Sequence, residues 1–386
     1  MDSFNKKKIL FVSHSPGLYG AERSLLDLVS AMDAKYEAMV VVPALGDLSR
    51  VLNDRGIAYV VQPHKAWVGD ETYLLRVPYR ILFNMFSFLS LLKKIRTNGF
   101  CPDIVYTNSL VKPLGAAIAK YYDVPHVWHA REFVKEDFGF GFDLGEKLTR
   151  TLLLKTTSIM ICNSYALKNK MLNFVPEEKI KVIYNGVLGE RENISTEISR
   201  SLRHQEDMKL CIVGSLQPGK GQEDAIRCTS ILKNKGYKVS LQVVGSGKSA
   251  YVDYLTKLVD KLKLEDDVIF RGFVSEPQKI MGSSHICLVC SRCEAFGRVA
   301  VEAMSFGISV VDASTGGLPE IIENRVNGLL YKFGDAEELS EKVEMLIEDK
   351  QLYENISLKS TSSVYERFTR DRYVEEIERS MRELFR

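Results

Sequence analysis

Short apolar runs alternate with helical patterns along this chain, and they do so in two successive rounds. This double alternation restricts the fold more than any other feature, because strands separated by helices build parallel sheets from βαβ units. In the first round the apolar runs are Lys6–Val12, Ala38–Val42, Tyr59–Val61, Ile104–Tyr106, His126–Trp128, Ile159–Cys162 and Ile180–Ile183. Between the first two, Ala21–Met32 places Leu25, Leu28, Val29 and Met32 on one helical face. A polar stretch, Gly189–Asp207, carries many charges and no sustained period. The second round then runs through Leu210–Val213, Ser240–Val244, Val268–Phe270, Ile286–Val289 and Ser309–Val311, with helices to the end.

A chain of 386 residues is too long for one ordinary core. The expectation is two Rossmann-like, doubly wound α/β domains: residues 1–188, a linker at 189–207, and residues 208–366, with a last helix, 367–386, packing back on the first domain. Ligands of such sheets bind outside the carboxyl ends of the strands, so a cleft between the two domains is the expected site.

Composition narrows the functional class. Apolar residues at 45% and charged residues at 26% describe a globular chain rather than a disordered one. The net charge of +2 divides unevenly: residues 1–183 hold 24 Lys/Arg against 18 Asp/Glu, or +6, which leaves −4 for the remainder. That excess is too small for a nucleic-acid protein, but it suits a phosphate-bearing acceptor or an anionic membrane surface on the first half. The apolar run Ile9–Val12 is too short for a secretory signal, and seven cysteines, an odd number, fit a reducing cytoplasm. The expected location is cytoplasmic, including the inner face of the membrane.

The chemistry is concentrated at strand-to-loop turns. After the apolar strand ending at Val289, the segment Cys293–Gly307 reads as a loop opening into a helix at about Phe296. A helix start presents backbone N–H groups and partial positive charge, which suits a diphosphate. Glu294 precedes that start and Glu302 lies about a turn and a half inside. Glu302 has the oxygens to accept two hydroxyls of a ribose, and Glu294 those to hold a transferred sugar. Spacing alone leaves the alternative that both are solvated carboxylates at a helix end. The second turn, Val213–Ile226, presents Lys220 between glycines, either as a charge on phosphate oxygens or as an ordinary surface lysine.

Together these segments resemble a known family. Lys220 in a G-x-L-x-x-x-K-G turn, the E-A-F-G-x-x-x-x-E segment from Glu294 to Glu302, Gly316-Gly317-Leu318-Pro319-Glu320, and Asn327-Gly328 before a short strand are similar to the C-terminal domain of the group 1 (family 4) retaining glycosyltransferases, which have the GT-B fold. The resemblance implies that Lys220 stabilises the leaving diphosphate, Glu302 holds the ribose, and Glu294 with the Ala295, Phe296 and Gly297 backbone contacts sugar and phosphate. It implies that Phe273, in Phe270–Val274, lines the base pocket. In the first half it implies that Gly20 approaches the phosphates and that His129 contacts the donor sugar through its side chain or backbone, whereas His126 reads as structural. Retention of configuration and independence of metal are also implied, and no Asp-x-Asp occurs in the chain.

Two positions depart from the pattern. Tyr19 replaces a glycine before Gly20, and Ser215 stands where many relatives carry arginine, which leaves the diphosphate short of one cation. The expected reaction moves a sugar from a UDP- or GDP-linked donor, which is a substrate rather than a cofactor, to a saccharide or lipid-linked acceptor, in cell-surface polysaccharide or glycolipid synthesis. An epimerase of the same fold and an idle sugar-nucleotide-binding module are the alternatives. The acceptor is expected at loops around Pro63–Tyr79 and Arg131–Gly145, the latter as a mobile lid.

Three further segments have competing readings. Val244–Tyr251 contains Gly-Ser-Gly-Lys-Ser, but Gln242 stands where a P-loop needs its first glycine. Cys287, Cys290 and Cys293 have metal-like spacing, yet strand alternation favours core cysteines over a zinc site. Ile81–Leu92 is an apolar run of twelve flanked by Arg76, Arg80, Lys93, Lys94 and Arg96, too short to span a bilayer and suited either to burial or to peripheral contact with a membrane surface.

Overall fold

The computed structural model describes residues 6–32, 34–69, 76–189 and 207–385. Contacts divide the chain into two units, Met1–Gly186 with Arg370–Arg386, and Val187–Thr369. Apart from its two end residues, the segment read as a linker, Gly189–Asp207, lies outside the described residues, as do residues 70–75 of the Pro63–Tyr79 loop.

The first unit carries β1 (Lys8–Val12), β2 (Glu37–Val42), β3 (Ala58–Val61), β4 (Val68–Gly69), β5 (Ile104–Thr107), β6 (His126–Ala130), β7 (Gly141–Phe142), β8 (Ile159–Cys162) and β9 (Ile180–Val182). Its helices are α1 (Gly20–Met32), α2 (Asp47–Asp54), α3 (Val77–Thr97), α4 (Leu114–Tyr122), α5 (Lys135–Phe138), α6 (Gly145–Thr156) and α7 (Tyr165–Met171). Seven strands pair in the order β3-β2-β1-β5-β6-β8-β9, all parallel. Helices cover both faces, which is why β1, β5, β6 and β8 are buried almost throughout instead of alternating. One core layer joins Phe11, Leu28, Val40 and Tyr106 to Tyr373, Ile377 and Met381 of the last helix. The other joins Leu10, Val12 and Val105 to Leu91 and Ile95 of α3 and Ile118 of α4.

The second unit repeats the plan with β10 (Asp207–Val213), β11 (Lys238–Val244), β12 (Val268–Gly272), β13 (Ile286–Val289), β14 (Ser309–Ala313) and β15 (Leu329–Tyr331). Their order is β12-β11-β10-β13-β14-β15, again parallel. Its helices are α8 (Gln222–Asn234), α9 (Ser249–Leu262), α10 (Pro277–Gly282), α11 (Arg298–Ser305), α12 (Ala336–Glu348) and α13 (Lys350–Arg367). The strand order reverses between β10 and β13, and that switch point is where a doubly wound sheet opens its carboxyl edge to a ligand.

The last helix, α14 (Arg370–Arg382), belongs to the first unit. Glu378 anchors it there, accepting from Lys35 Nζ at 2.9 Å and Arg382 Nη2 at 2.7 Å. The return to the first unit starts at Arg370 rather than at residue 367 because Phe368 is held in the second unit: its carbonyl accepts from Val187 N at 2.9 Å, and its ring meets Phe296 edge-on at 5.4 Å.

Two segments position the loops of this unit. Within Arg131–Gly145, Gly141–Phe142 form the short strand β7. β7 pairs antiparallel with β4, and Phe142 packs against Trp67 at 5.6 Å and Phe174 at 5.8 Å. The run Ile81–Leu92 is helical within α3, yet Ser87, Leu91 and Leu92 are its buried members while Ile81, Leu82, Met85, Phe86 and Leu89 are exposed.

Candidate donor site

The turn after β10 and the loop after β13 are locked together by backbone. Arg292 N donates to the Gly219 carbonyl at 2.8 Å. Gly221, at φ 66°, brings the turn so close that a β-carbon there would stand 2.0 Å from the Cys290 carbonyl oxygen, so no other residue fits. Glu294 is seated from the far side, its carbonyl accepting from Gly317 N at 2.8 Å. Gly316, at φ 54°, would place a β-carbon 2.2 Å from that same oxygen. The Gly-Gly motif therefore shapes the backbone under Glu294.

This seating brings two predicted residues together: Lys220 Nζ and the Glu294 carboxylate form an ion pair, with Ser291 Oγ donating to Glu294 Oε1 at 2.9 Å. Both charged side chains are about a quarter exposed, at 26% and 24%. Asp312 on β14 is fully buried, and burial together with the Glu294 charge pushes its pKa well above the usual carboxylate range.

The helix after the loop opens at Arg298 rather than Phe296. Gly297, at φ 98°, is its N-cap, and Ala295 and Phe296 are buried as the plug beneath it. Glu302 sits on this helix with Oε1 accepting from Arg298 Nε at 2.8 Å, their side chains 14% and 16% exposed. Arg298 escaped the sequence reading. Its Nη1 is buried without a hydrogen-bond partner among the described residues, one turn from Glu302 at the cationic end of a helix. The signal was an arginine at the first helical position, where an acidic side chain is the usual preference. Ser215 is exposed, and its carbonyl accepts from Gln222 Nε2 at 3.0 Å. Phe273, just past β12, is 76% exposed.

In the first unit Gly20 is the first residue of α1, next to Tyr19, which is 68% exposed. His129 lies inside β6 rather than after it, is fully buried, and shares a hydrogen bond with the Tyr106 hydroxyl through Nδ1. Burial, with the Arg131 charge beside it, holds its pKa well below the usual value. Its Nε2 is buried without a hydrogen-bond partner among the described residues. His126 is structural, with Nε2 2.7 Å from Thr107 Oγ1 and Nδ1 3.1 Å from the Thr156 carbonyl.

Other groups occupy the strand ends of this unit. His14, past β1, has Nδ1 2.8 Å from Oε1 of the fully buried Glu22 of α1. Burial opposes protonation of His14, but the Glu22 carboxylate prevails and raises its pKa. Glu132 Oε1 accepts from the Ser109 hydroxyl and from Leu110 N, and burial raises its pKa. Arg131 is a buried hub, donating to Asn108 Oδ1 at 2.7 Å, Asn185 Oδ1 at 2.6 Å and the Tyr373 hydroxyl at 2.9 Å.

Cys287 and Cys290 are buried core residues with free thiols, and among the described residues no group of three His, Cys, Asp or Glu side chains is placed to hold a metal.

Two doubly wound sheets, one with a lysine–carboxylate pair and a glycine-capped helix at its carboxyl edge, define an α/β protein of the GT-B class. Two family models match, glycosyl transferases group 1 over residues 173–362 and glycosyltransferase family 4 over residues 19–190. The chain belongs to the group 1 glycosyltransferases. It is 33% identical over 230 residues to an uncharacterized glycosyltransferase of Methanocaldococcus jannaschii, covering 56% of this chain and 58% of that one. It is 26% identical over 230 residues to the N-acetyl-alpha-D-glucosaminyl L-malate synthase of Bacillus anthracis, covering 58% and 59%. The chain thus spans under two thirds of the length of these relatives. Among solved structures, Anabaena HepE in complex with UDP-glucose superposes with a TM-score of 0.79 at 26% identity, over 98% of this chain and 100% of that one.

Proposed function

We propose that this protein transfers a sugar from a UDP- or GDP-linked donor to a saccharide or lipid-linked acceptor with retention of configuration and without a metal ion, in the synthesis of a cell-surface polysaccharide or glycolipid. The observation that carries the reading is the Lys220–Glu294 pair, fixed by two glycine contacts beside the start of α11. A diphosphate arriving there finds an ammonium group, the helix N-terminus and the unpartnered Arg298 Nη1. In this reading Arg298 supplies the cation that Ser215 does not.

Charge develops on the leaving diphosphate as the glycosidic bond breaks, so a fixed ammonium there stabilises the transition state more than the ground state. When Lys220 turns to phosphate, Glu294 is released to accept sugar hydroxyls, which couples donor arrival to sugar positioning. Glu302, steadied by Arg298 through one oxygen, offers the other to a ribose hydroxyl. Phe273 offers an aromatic face to the base. HepE, the 26% identical relative, was crystallised with UDP-glucose, which supports a UDP-linked donor here. The acceptor is read by first-unit loops, around residues 63–69 and 131–145.

A thermal-shift panel of UDP-, GDP-, ADP- and TDP-sugars tests the donor, because a ligand of the native state raises the melting temperature. A UDP- or GDP-sugar is expected to give the largest rise, and no rise with any of the four would reject the proposal. The anomeric configuration of the transferred sugar, read by NMR on the product, tests retention.

A further inference from the structure

Over most globular helices polar residues face water and apolar residues face the core. In the first two thirds of α3 the outward face is apolar, and two polar side chains turn inward beside the half-buried Phe83 and Phe88. Asn84 turns inward, accepting from Lys65 N at 2.8 Å, and Ser87 turns inward, donating to the Pro63 carbonyl at 2.6 Å. The outward face carries Ile81, Leu82, Met85, Phe86 and Leu89, exposed by 50, 53, 49, 64 and 55%. These positions repeat at helical spacing, so they form one stripe, and hydrogen bonds to the loop at 63–65 pin the rotation that exposes it.

Helix α6 likewise presents apolar side chains to solvent: Leu148, Leu152 and Leu154 are exposed by 58, 38 and 39%, while Thr149 and Leu153 are buried. Arg80 ties the two helices at their starts, with Nη2 2.7 Å from Asp143 Oδ1 just before α6 and Nη1 donating to the Val68 carbonyl at 2.8 Å. Cations border both stripes. Helix α3 contains Arg80, Lys93, Lys94 and Arg96 and no acidic residue, and α6 contains Lys147, Arg150 and Lys155 against Glu146. Of these Lys93, Arg96, Lys147, Arg150 and Lys155 are exposed.

We infer that this face of the first unit docks on an anionic lipid surface, the apolar stripe of α3 entering the interfacial layer and the basic side chains meeting headgroups. The charge pattern selects this occupant. A second copy would bring like-charged rims together, whereas a negatively charged headgroup layer complements them. The docking is peripheral, since no described helix is long and apolar enough to cross a membrane. It goes beyond the proposed transfer reaction and does not depend on which donor is used.

The test is co-sedimentation of the full chain, without donor or acceptor, with vesicles of phosphatidylcholine alone and of phosphatidylcholine and phosphatidylglycerol in equal parts, at low and high salt. The protein is expected to pellet with the mixed vesicles at low salt, to be released at high salt, and to ignore the neutral ones. The double variant Leu82→Asp/Phe86→Asp, altered at exposed positions, is expected to lose at least about tenfold in partitioning, the scale of withdrawing two apolar side chains from a lipid interface, while keeping the parent melting temperature. The charge variant Lys93→Glu/Lys147→Glu is expected to weaken binding to mixed vesicles too. Failure of the parent protein to pellet with mixed vesicles at low salt would overturn the inference. So would a Leu82→Asp/Phe86→Asp protein that melts normally and pellets as the parent does, or a parent dimer in sedimentation equilibrium that this variant dissociates.

Discussion

In the second unit the charged groups at the strand ends face one another near the surface, on one turn and one loop, whereas in the first unit their counterparts are sealed within the fold. Lys220 and Glu294 keep about a quarter of their side chains exposed, at 26% and 24%, while Arg131 is 8% exposed and Glu22 and His129 are fully buried. An exposed pair can exchange its partner for a ligand at modest cost, because water screens both states. A buried hub cannot, since any broken bond strands a polar group away from water. The two sheets therefore use charge differently, the second holding an ion pair near the surface and the first bracing strand ends and the returning helix α14.

The largest effect expected from this contrast is on turnover. Lys220→Ala should cut sugar transfer by about a hundredfold to a thousandfold, the range for removal of one electrostatic stabiliser, while leaving the melting temperature near that of the parent. A steady-state assay with the donor found by thermal shift measures it, and a stability loss matching the activity loss would erase the contrast with the first unit.

Arg131→Met should do the reverse. Asn108, Asn185 and the Tyr373 hydroxyl would lose their common donor, and stability measured by urea unfolding should fall by about 2–3 kcal/mol. Nucleotide binding by the surviving native fraction should be unchanged. A variant that folds normally but no longer binds nucleotide would assign Arg131 to the site instead.

How far each half could be read from sequence follows the same division. The meeting of Lys220 with Glu294 was legible because the motifs lie in order over a short stretch, with glycines where the backbone must approach within contact distance. Both rounds of strands were legible because continuous apolar runs are what a sheet covered on both faces requires. Strand ends moved by one or two residues, as with β6, which continues to Ala130 and thereby buries His129. The first-unit network was not legible. Arg131 meets partners 23, 54 and 242 residues away, and no local pattern encodes such pairings. The orientation of α3 was hidden for a related reason. Its run is apolar nearly all round, and the rotation was decided by the partners of Asn84 and Ser87, which belong to the loop at 63–65.

A smaller effect should separate His14 from the neutral histidines. Its folded pKa is raised above the ordinary 6.5, so its pairing with Glu22 adds stability that is fully present below that value and is lost as pH rises through the folded pKa. Urea unfolding at a series of pH values should show stability falling through this window in the parent and a flatter profile in Glu22→Gln. His126 and His129, held neutral by burial, contribute with the opposite sign: they disfavour the native state as pH falls through the unfolded value. Equal slopes for parent and Glu22→Gln near neutrality would remove the His14 assignment.

The smallest change concerns the departure beside Lys220. Ser215→Arg adds a cation to the turn that carries Lys220, and it should tighten nucleoside-diphosphate binding by about two- to fivefold, the value of one exposed charge contact. The same change combined with Arg298→Ala should bring affinity back towards that of the parent if Arg298 stands in for the missing arginine.

Calorimetric titration of UDP and GDP into the parent, Lys220→Ala and Glu302→Gln proteins tests the central claim most directly. Saturable binding of at least one nucleotide to the parent, weakened about tenfold or more in each variant with melting temperatures preserved, is the predicted result. Affinities for both nucleotides that are the same in all three proteins would contradict it.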